Sequence, residues 1–248
     1  MSHIIFTPPY DASLLKYLYR NQVILEDYLY LYYTLNEASD ATVAIDETTN
    51  NLDGAYISMF PGASGLITGG STAATFSSSA VLIDPAADLV VASASHDHFA
   101  IEAWVNTSSL SGTQTIYQEW ALFGRNVSHF YITSAGAVAY QHYSGSSYTT
   151  TTADSLISTD TTYHLAMVKE SGTVKIYING VEKGSGSVVG ITNWGVSNKN
   201  IGRHEVSTGV YSNYFTGVID EFAIYAKNTV GAPLSVTNIQ NHFDLGTA

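Results

Sequence analysis

Short runs of alternating apolar and polar residues recur along most of this chain, and they predict strands. Residues 98–105 place Phe99, Ile101, Ala103 and Val105 on one face and Glu102 and Trp104 on the other. Residues 28–35 form an aromatic-rich run that fits a strand buried on one side. Further strands are expected near 65–68, 74–76, 81–83, 115–117, 121–124, 129–133, 137–143, 163–169, 174–183 and 200–203, with turn residues between them. Asn179-Gly180 sits between two alternating runs and predicts a hairpin with a type I′ turn. The last strand, 215–225, carries large apolar residues on both faces, as a strand between two layers should. Strict alternation there points Asp220 and Glu221 in opposite directions, and Asp220 falls among apolar neighbours. A carboxylate in that setting needs a partner, a hydrogen bond or a metal.

Helical period occurs only at the ends. Asp11 or Ser13 can cap a short helix that places Leu14, Leu15 and Leu18 on one face. Such a helix is too short to stand alone, so it must pack on its own domain or on another subunit. With Pro8, Pro9 and Tyr10 before it, residues 1–28 read as an N-terminal arm, and 29–248 as one domain. Ser235 can cap a last helical turn or two, with Val236, Ile239 and Phe243 on one side.

Composition narrows the classes. A chain of 248 residues can bury a sizeable core. Charged residues make up 12%, about half the usual share. The net charge of −12, with no basic run, argues against a nucleic-acid partner. Arg203 and His204 are expected to solvate a turn. No apolar run reaches membrane-spanning length. Residues 1–9 lack the charged and apolar regions of a signal peptide, and there is no cysteine.

Candidate chemistry is sparse. The loop from Glu37 to Gly54 alternates carboxylates and amides, a donor set of the kind that holds Ca²⁺, although its spacing is not that of an EF-hand. Asp220 and Glu221 are adjacent, so they would face opposite sides of a strand, and no Glu-x-Asp-x-Glu segment offers the close carboxyl pair that retaining glycoside hydrolysis requires. No Gly-x-Ser-x-Gly elbow occurs either, so no catalysis is expected. His96 and His98 lack further ligands and read as a polar strand edge. Tyr140, Tyr143, Tyr148, Trp194, Tyr211 and Tyr214 fall in or near loops, where aromatic faces can stack on sugar rings.

Several segments, taken in order, resemble one family. They are Leu31-Tyr32-Tyr33-Thr34-Leu35-Asn36-Glu37, the loop from Asp46 to Gly54, Phe99 to Val105, Tyr163 to Lys169, Val174 to Val181, and Phe215 to Tyr225. Together they look like the laminin-G-like, concanavalin-A-like jelly roll, over about residues 29 to 246. The resemblance implies an all-β fold, a two-sheet antiparallel sandwich with neighbouring terminal strands. It implies a structural Ca²⁺ between the loop and the last strand. Asp53 and Asp220 would be its first ligands, with Asp46 and Glu37 behind them. The fold hosts many functions. A lectin-type fold without signal or cysteine, carrying a proline-containing arm, suggests a bacteriophage virion protein. Such a protein would be a capsid decoration or tail-associated module, a homo-oligomer bound to other virion proteins through Pro8, Pro9, Tyr10, Leu14, Leu15 and Leu18. The alternative is an adhesin or receptor-binding module for cell-surface glycans, with Tyr143, Tyr148, Trp194 and Tyr211 at the site.

Overall fold

The computed structural model describes residues 11–70, 72–87, 97–121, 125–143, 147–188 and 197–248. Helix α1 (Ala12–Ile24) opens the described chain and leads into β1 (Leu29–Tyr33). Then come β2 (Val43–Ala44), β3 (Gly54–Ile57), β4 (Phe60–Ala63), β5 (Ala73–Ser77), β6 (Ala80–Leu82), β7 (His98–Thr107), β8 (Gln114–Ala121) and β9 (Arg125–Ile132). They are followed by β10 (Ala137–Tyr143), β11 (Tyr148–Leu156), β12 (Thr162–Glu170), β13 (Thr173–Ile178), β14 (Val181–Ser187), β15 (Ser197–Ile201), β16 (His204–Ser207), β17 (Val210–Ser212), β18 (Thr216–Ala226) and helix α2 (Val236–Thr247). No helix among the described residues is long and apolar enough to cross a membrane.

The strands form two antiparallel layers. The first sheet runs β14-β13-β12-β7-β18-β5-β4, with β1 also paired to β18. The second runs β11-β10-β9-β8-β15-β6-β3-β2. Phe99, Ile101, Val105, Ile219, Phe222 and Ile224 of the first sheet meet Tyr117, Phe130, Ile132 and Tyr140 of the second in one buried core. The alternation expected for β7 holds: Ala100 and Trp104 point outward into a second apolar cluster. The hairpin at Asn179-Gly180 is also as expected, since both residues have positive φ and Ile178 pairs with Val181. The strand expected at 65–68 is instead a turn.

That second cluster lies between the first sheet and the two helices. Asp11 caps α1 by accepting from Ser13 N, and Ser235 caps α2 by accepting from Asn238 N. Helix α1 buries Leu15, Tyr19 and Val23, and α2 buries Ile239, His242 and Gly246. Gly246 lets α2 approach closely: a Cβ there would lie 2.2 Å from Cζ2 of Trp104. The helix face expected from sequence is therefore rotated. Leu15 is buried, Leu14 is exposed and Leu18 is half-buried, while Val236 is exposed and His242 takes the inner position. Helix α1 packs through Tyr19 and Val23 on the sandwich of its own chain. Pro8, Pro9 and Tyr10 lie outside the described residues.

Candidate functional site

The acidic loop folds around its own backbone. Asp46 Oδ1 accepts from Tyr32 N at 3.0 Å and Thr48 N at 3.1 Å. Its Oδ2 accepts from Leu52 N at 2.9 Å and Thr48 Oγ1 at 2.8 Å. Asp53 Oδ1 accepts from Asp46 N, while Glu37 accepts from Ile45 N and the Tyr56 hydroxyl. A carboxylate that already satisfies four donors has little left for a cation. Asp220 is held elsewhere, on the outer face of the first sheet, where its Oδ2 accepts from Leu66 N at 2.8 Å. Among the described residues no group of three or more His, Cys, Asp or Glu side chains could hold a metal ion. Asp46, Asp53 and Glu37, which the family resemblance assigns to Ca²⁺, thus accept hydrogen bonds within the loop, and Asp220 accepts from Leu66 N. The loop carboxylates act as a backbone staple.

Asp220 and Glu221 depart from strict alternation. Glu221 has φ +51° and sits in a β-bulge, so that Asp220 pairs with Trp104 and Ala223 with Glu102. Both carboxylates thus lie under α1, which corrects the expectation that they face opposite layers. Arg20 of α1 donates to Glu221 from Nε at 2.9 Å and from Nη2 at 2.5 Å, and the Tyr32 hydroxyl donates to its other oxygen. Asp220 Oδ1 is buried without a hydrogen-bond partner. Burial, and then the neighbouring Glu221, push the Asp220 carboxyl well above the usual range.

A second polar cluster lies deeper under the helices. Glu102 faces His242 Nδ1 at 3.0 and 3.1 Å and accepts from the Tyr225 hydroxyl. His164 Nε2 stands 3.3 Å from Glu102, and His242 Nε2 stands 3.5 Å from Glu26. The Tyr19 hydroxyl accepts from Trp104 Nε1 at 3.0 Å. Burial lowers the His242 pKa, but the charge of Glu102 outweighs it and the value rises to about 9. Glu102, also opposed by burial, is held well below the usual carboxylate range by the two histidines. These groups are sealed from solvent, so they clamp helices to a sheet and offer nothing to a ligand.

The outer face of the second sheet is open only at its β10–β11 end: Tyr148, Thr150 and Thr152 are exposed and Tyr131 and Gln141 half-buried, while Gln118, Thr115, His129, Ala139 and Tyr143 are buried. Opposed residues of antiparallel strands share a face. One row crosses four strands as Gln118, His129, Gln141 and Thr150. The next row is Thr115, Tyr131, Ala139 and Thr152, and Tyr143 pairs with Tyr148 beyond Gln141. Tyr148 is 46% exposed, and its ring centroid lies 4.8 Å from that of Tyr143. Tyr131 stacks on His129 at 4.3 Å, and His129 stacks on His204 at 4.5 Å. Burial lowers both histidine pKa values, so this ring stack is neutral near pH 7. The β16–β17 hairpin flanks the stack, with the Arg203 guanidinium 3.6 Å above the Tyr211 ring. Arg203 therefore does more than solvate a turn: it is buried against Tyr211 and donates to Asn200.

Of the aromatic residues expected at a ligand site, Tyr143 and Tyr148 are together on this face and Tyr211 lies on its flanking hairpin. Tyr140 faces the core, bonded to Ser128, and Trp194 lies outside the described residues. Tyr131, His129, Gln141 and Thr150 were missed. The signal was present in β9, where His129 and Tyr131 alternate with Ser128, Phe130 and Ile132, but only the strand pairing shows that the odd positions face outward.

No curated protein matches the chain in sequence. Among solved structures, one similar fold is domain 4 of AbnA, a GH43 extracellular arabinanase from Geobacillus stearothermophilus, in complex with arabinotriose. It has a TM-score of 0.63 and 21% identity over 89% of this chain and 98% of that one. The receptor-binding domain of botulinum neurotoxin type G has a TM-score of 0.59 and 15% identity over 88% of this chain. The serotype C1 binding domain has a TM-score of 0.62 and 16% identity, again over 88%. This chain spans about half of each toxin chain, 51% and 52%. The Laminin_G_3 model, described as the Concanavalin A-like lectin/glucanases superfamily, matches residues 69–232. The chain is a member of that family.

Proposed function

We propose that this protein is a non-catalytic carbohydrate-binding module whose ligand lies across the outer face of the second sheet. The observation that carries the reading is the row of rings and amides there: Tyr148 with Tyr143, Tyr131 on its histidine stack, and Gln141 and Thr150 between them. Tyrosine rings offer a flat apolar surface to the C–H face of a sugar, and amides and hydroxyls match its alcohols. A neutral stack suits a neutral glycan. The arabinotriose complex of the similar arabinanase domain supports the same ligand class.

Hydrolysis is not part of this proposal. Asp220 and Glu221 are adjacent and fully buried beneath α1, where a glycosidic bond cannot reach them. A virion anchor would use α1, whose Leu15, Tyr19 and Val23 the sandwich already occupies while Leu14, Tyr17 and the C-cap residue Leu25 stay exposed. The test is a glycan array probed with the protein and with Tyr148→Ala. Binding by the former and its loss in the latter support the reading; an array with no binder overturns it.

A further inference from the structure

A second concavity lies on the opposite layer, where α2 begins. It has a volume of about 330 Å³ and is lined by residues of β12, β13 and β14 and by the segment that enters the helix. The volume falls at the lower end of the range for small-molecule sites, about 300–1,000 Å³. Pairing explains why the lining residues converge. Val168 opposes Lys175, and Tyr177 opposes Glu182, so their side chains share the outer face. Helix α2 covers the inner part of this face through Ile239 and His242, then ends at its Ser235 cap. Leu234, buried beside the cap, anchors the entering chain and forms one wall with Val236. The groove is thus the space between a helix start and a sheet margin.

Its chemistry is mixed in a specific way. Val168 and Tyr177 make an apolar floor. At the rim, Lys175 Nζ lies 3.0 Å from Glu182 Oε2, and both side chains are nearly half exposed. Glu170 adds a second carboxylate. An anion would meet two carboxylates against one ammonium. A cation would have to displace the ammonium already paired with Glu182. A neutral polyol meets neither penalty: one hydroxyl accepts from Lys175 while its neighbour donates to Glu182, and the C–H face rests on the floor.

We infer that this groove is a second saccharide subsite, on the layer opposite the second-sheet face, that takes one neutral sugar unit. It does not depend on the ligand proposed for the other face. With both sites filled, one domain would bridge two chains of a glycan, or bind one branched chain with the avidity of two weak contacts.

The experiment is a heteronuclear NMR titration of the whole chain with arabinotriose, xylotriose, cellotriose and maltotriose, each to about 10 mM, which saturates millimolar sites. Backbone amide shifts locate each contact. The expected result is that at least one trisaccharide moves the amides of Val168, Thr173, Lys175 and Val236. Those shifts should weaken about 10-fold or more in Lys175→Met and in Glu182→Gln, and should persist in Tyr148→Ala. Both rim side chains are exposed, so these variants are expected to fold. Shifts confined to β9, β10 and β11 would overturn the second site while keeping the first. Shifts in the groove that the two rim variants leave unchanged would overturn the assigned chemistry. No groove shift with any of the four sugars would overturn the proposal.

Discussion

His242 of α2 places Nδ1 3.0 Å from Glu102 Oε1, so the last helix is tied to the middle strand of the first sheet by a buried ion pair. The His242 pKa is raised to about 9, so its contribution to stability is fully present below the unfolded histidine value, about 6.5. It is lost as pH rises through about 9. Glu102 is depressed, so its share is present above the unfolded carboxylate value and is lost as pH falls. The difference in unfolding free energy between the protein and His242→Gln should therefore be largest near pH 5–6.5 and shrink on the alkaline side. At the maximum it should be about 3 kcal/mol, the cost of removing one partner of a buried ion pair. Urea melts across pH 5 to 10 measure it.

Arg20 and the Asp220–Glu221 bulge make opposite predictions for two variants. Arg20→Ala leaves Glu221 buried without its cation and should cost about 3 kcal/mol. Asp220→Asn keeps an acceptor for Leu66 N and removes a carboxyl whose ionisation burial and Glu221 oppose. It should be neutral or stabilising at pH 7. The raised Asp220 pKa means that folding favours the protonated carboxyl, so stability is lost as pH rises through the folded value. The gain from Asp220→Asn should accordingly vanish in acid. Chemical denaturation of both variants at pH 4 and pH 7 gives the comparison.

The Asp46 staple predicts a destabilisation that does not depend on metal. Asp46→Ala strands three backbone N–H groups and a hydroxyl, and should cost about 2–3 kcal/mol. Thermal melts of the parent protein should coincide with and without EDTA, and with added Ca²⁺. A Ca²⁺-dependent rise in melting temperature that Asp46→Ala abolishes would show a metal bound at this loop instead.

Most of the layer architecture was legible because β7, β13 and β18 carry period-two patterns and Asn179-Gly180 fixes a hairpin. Asp220 was placed on the correct strand but misread in direction, since a one-residue bulge at Glu221 is invisible to alternation. Helix α1 was found with its cap, yet its buried face centres on Tyr19 and Val23, polar or late positions that a Leu14–Leu18 pattern does not reveal. The Tyr131–His129–His204 stack was beyond reach because it joins strands that are distant in sequence. Composition does not separate carboxylates that cap backbone N–H groups from carboxylates that bind Ca²⁺, so the hydrogen bonds of Asp46 were not legible in the acidic loop.

The central claim is that the outer face of the second sheet binds a neutral glycan through Tyr148 and Gln141. The most direct measurement is calorimetric titration of the tightest array ligand into the protein, Tyr148→Ala and Gln141→Ala, with folding checked by circular dichroism. Stacking on an aromatic ring is worth about 0.5–1.5 kcal/mol beyond burial, so affinity should fall at least about 2- to 12-fold in Tyr148→Ala. It should fall less in Gln141→Ala, with the fold unchanged in both. Equal affinity in all three proteins would contradict the claim.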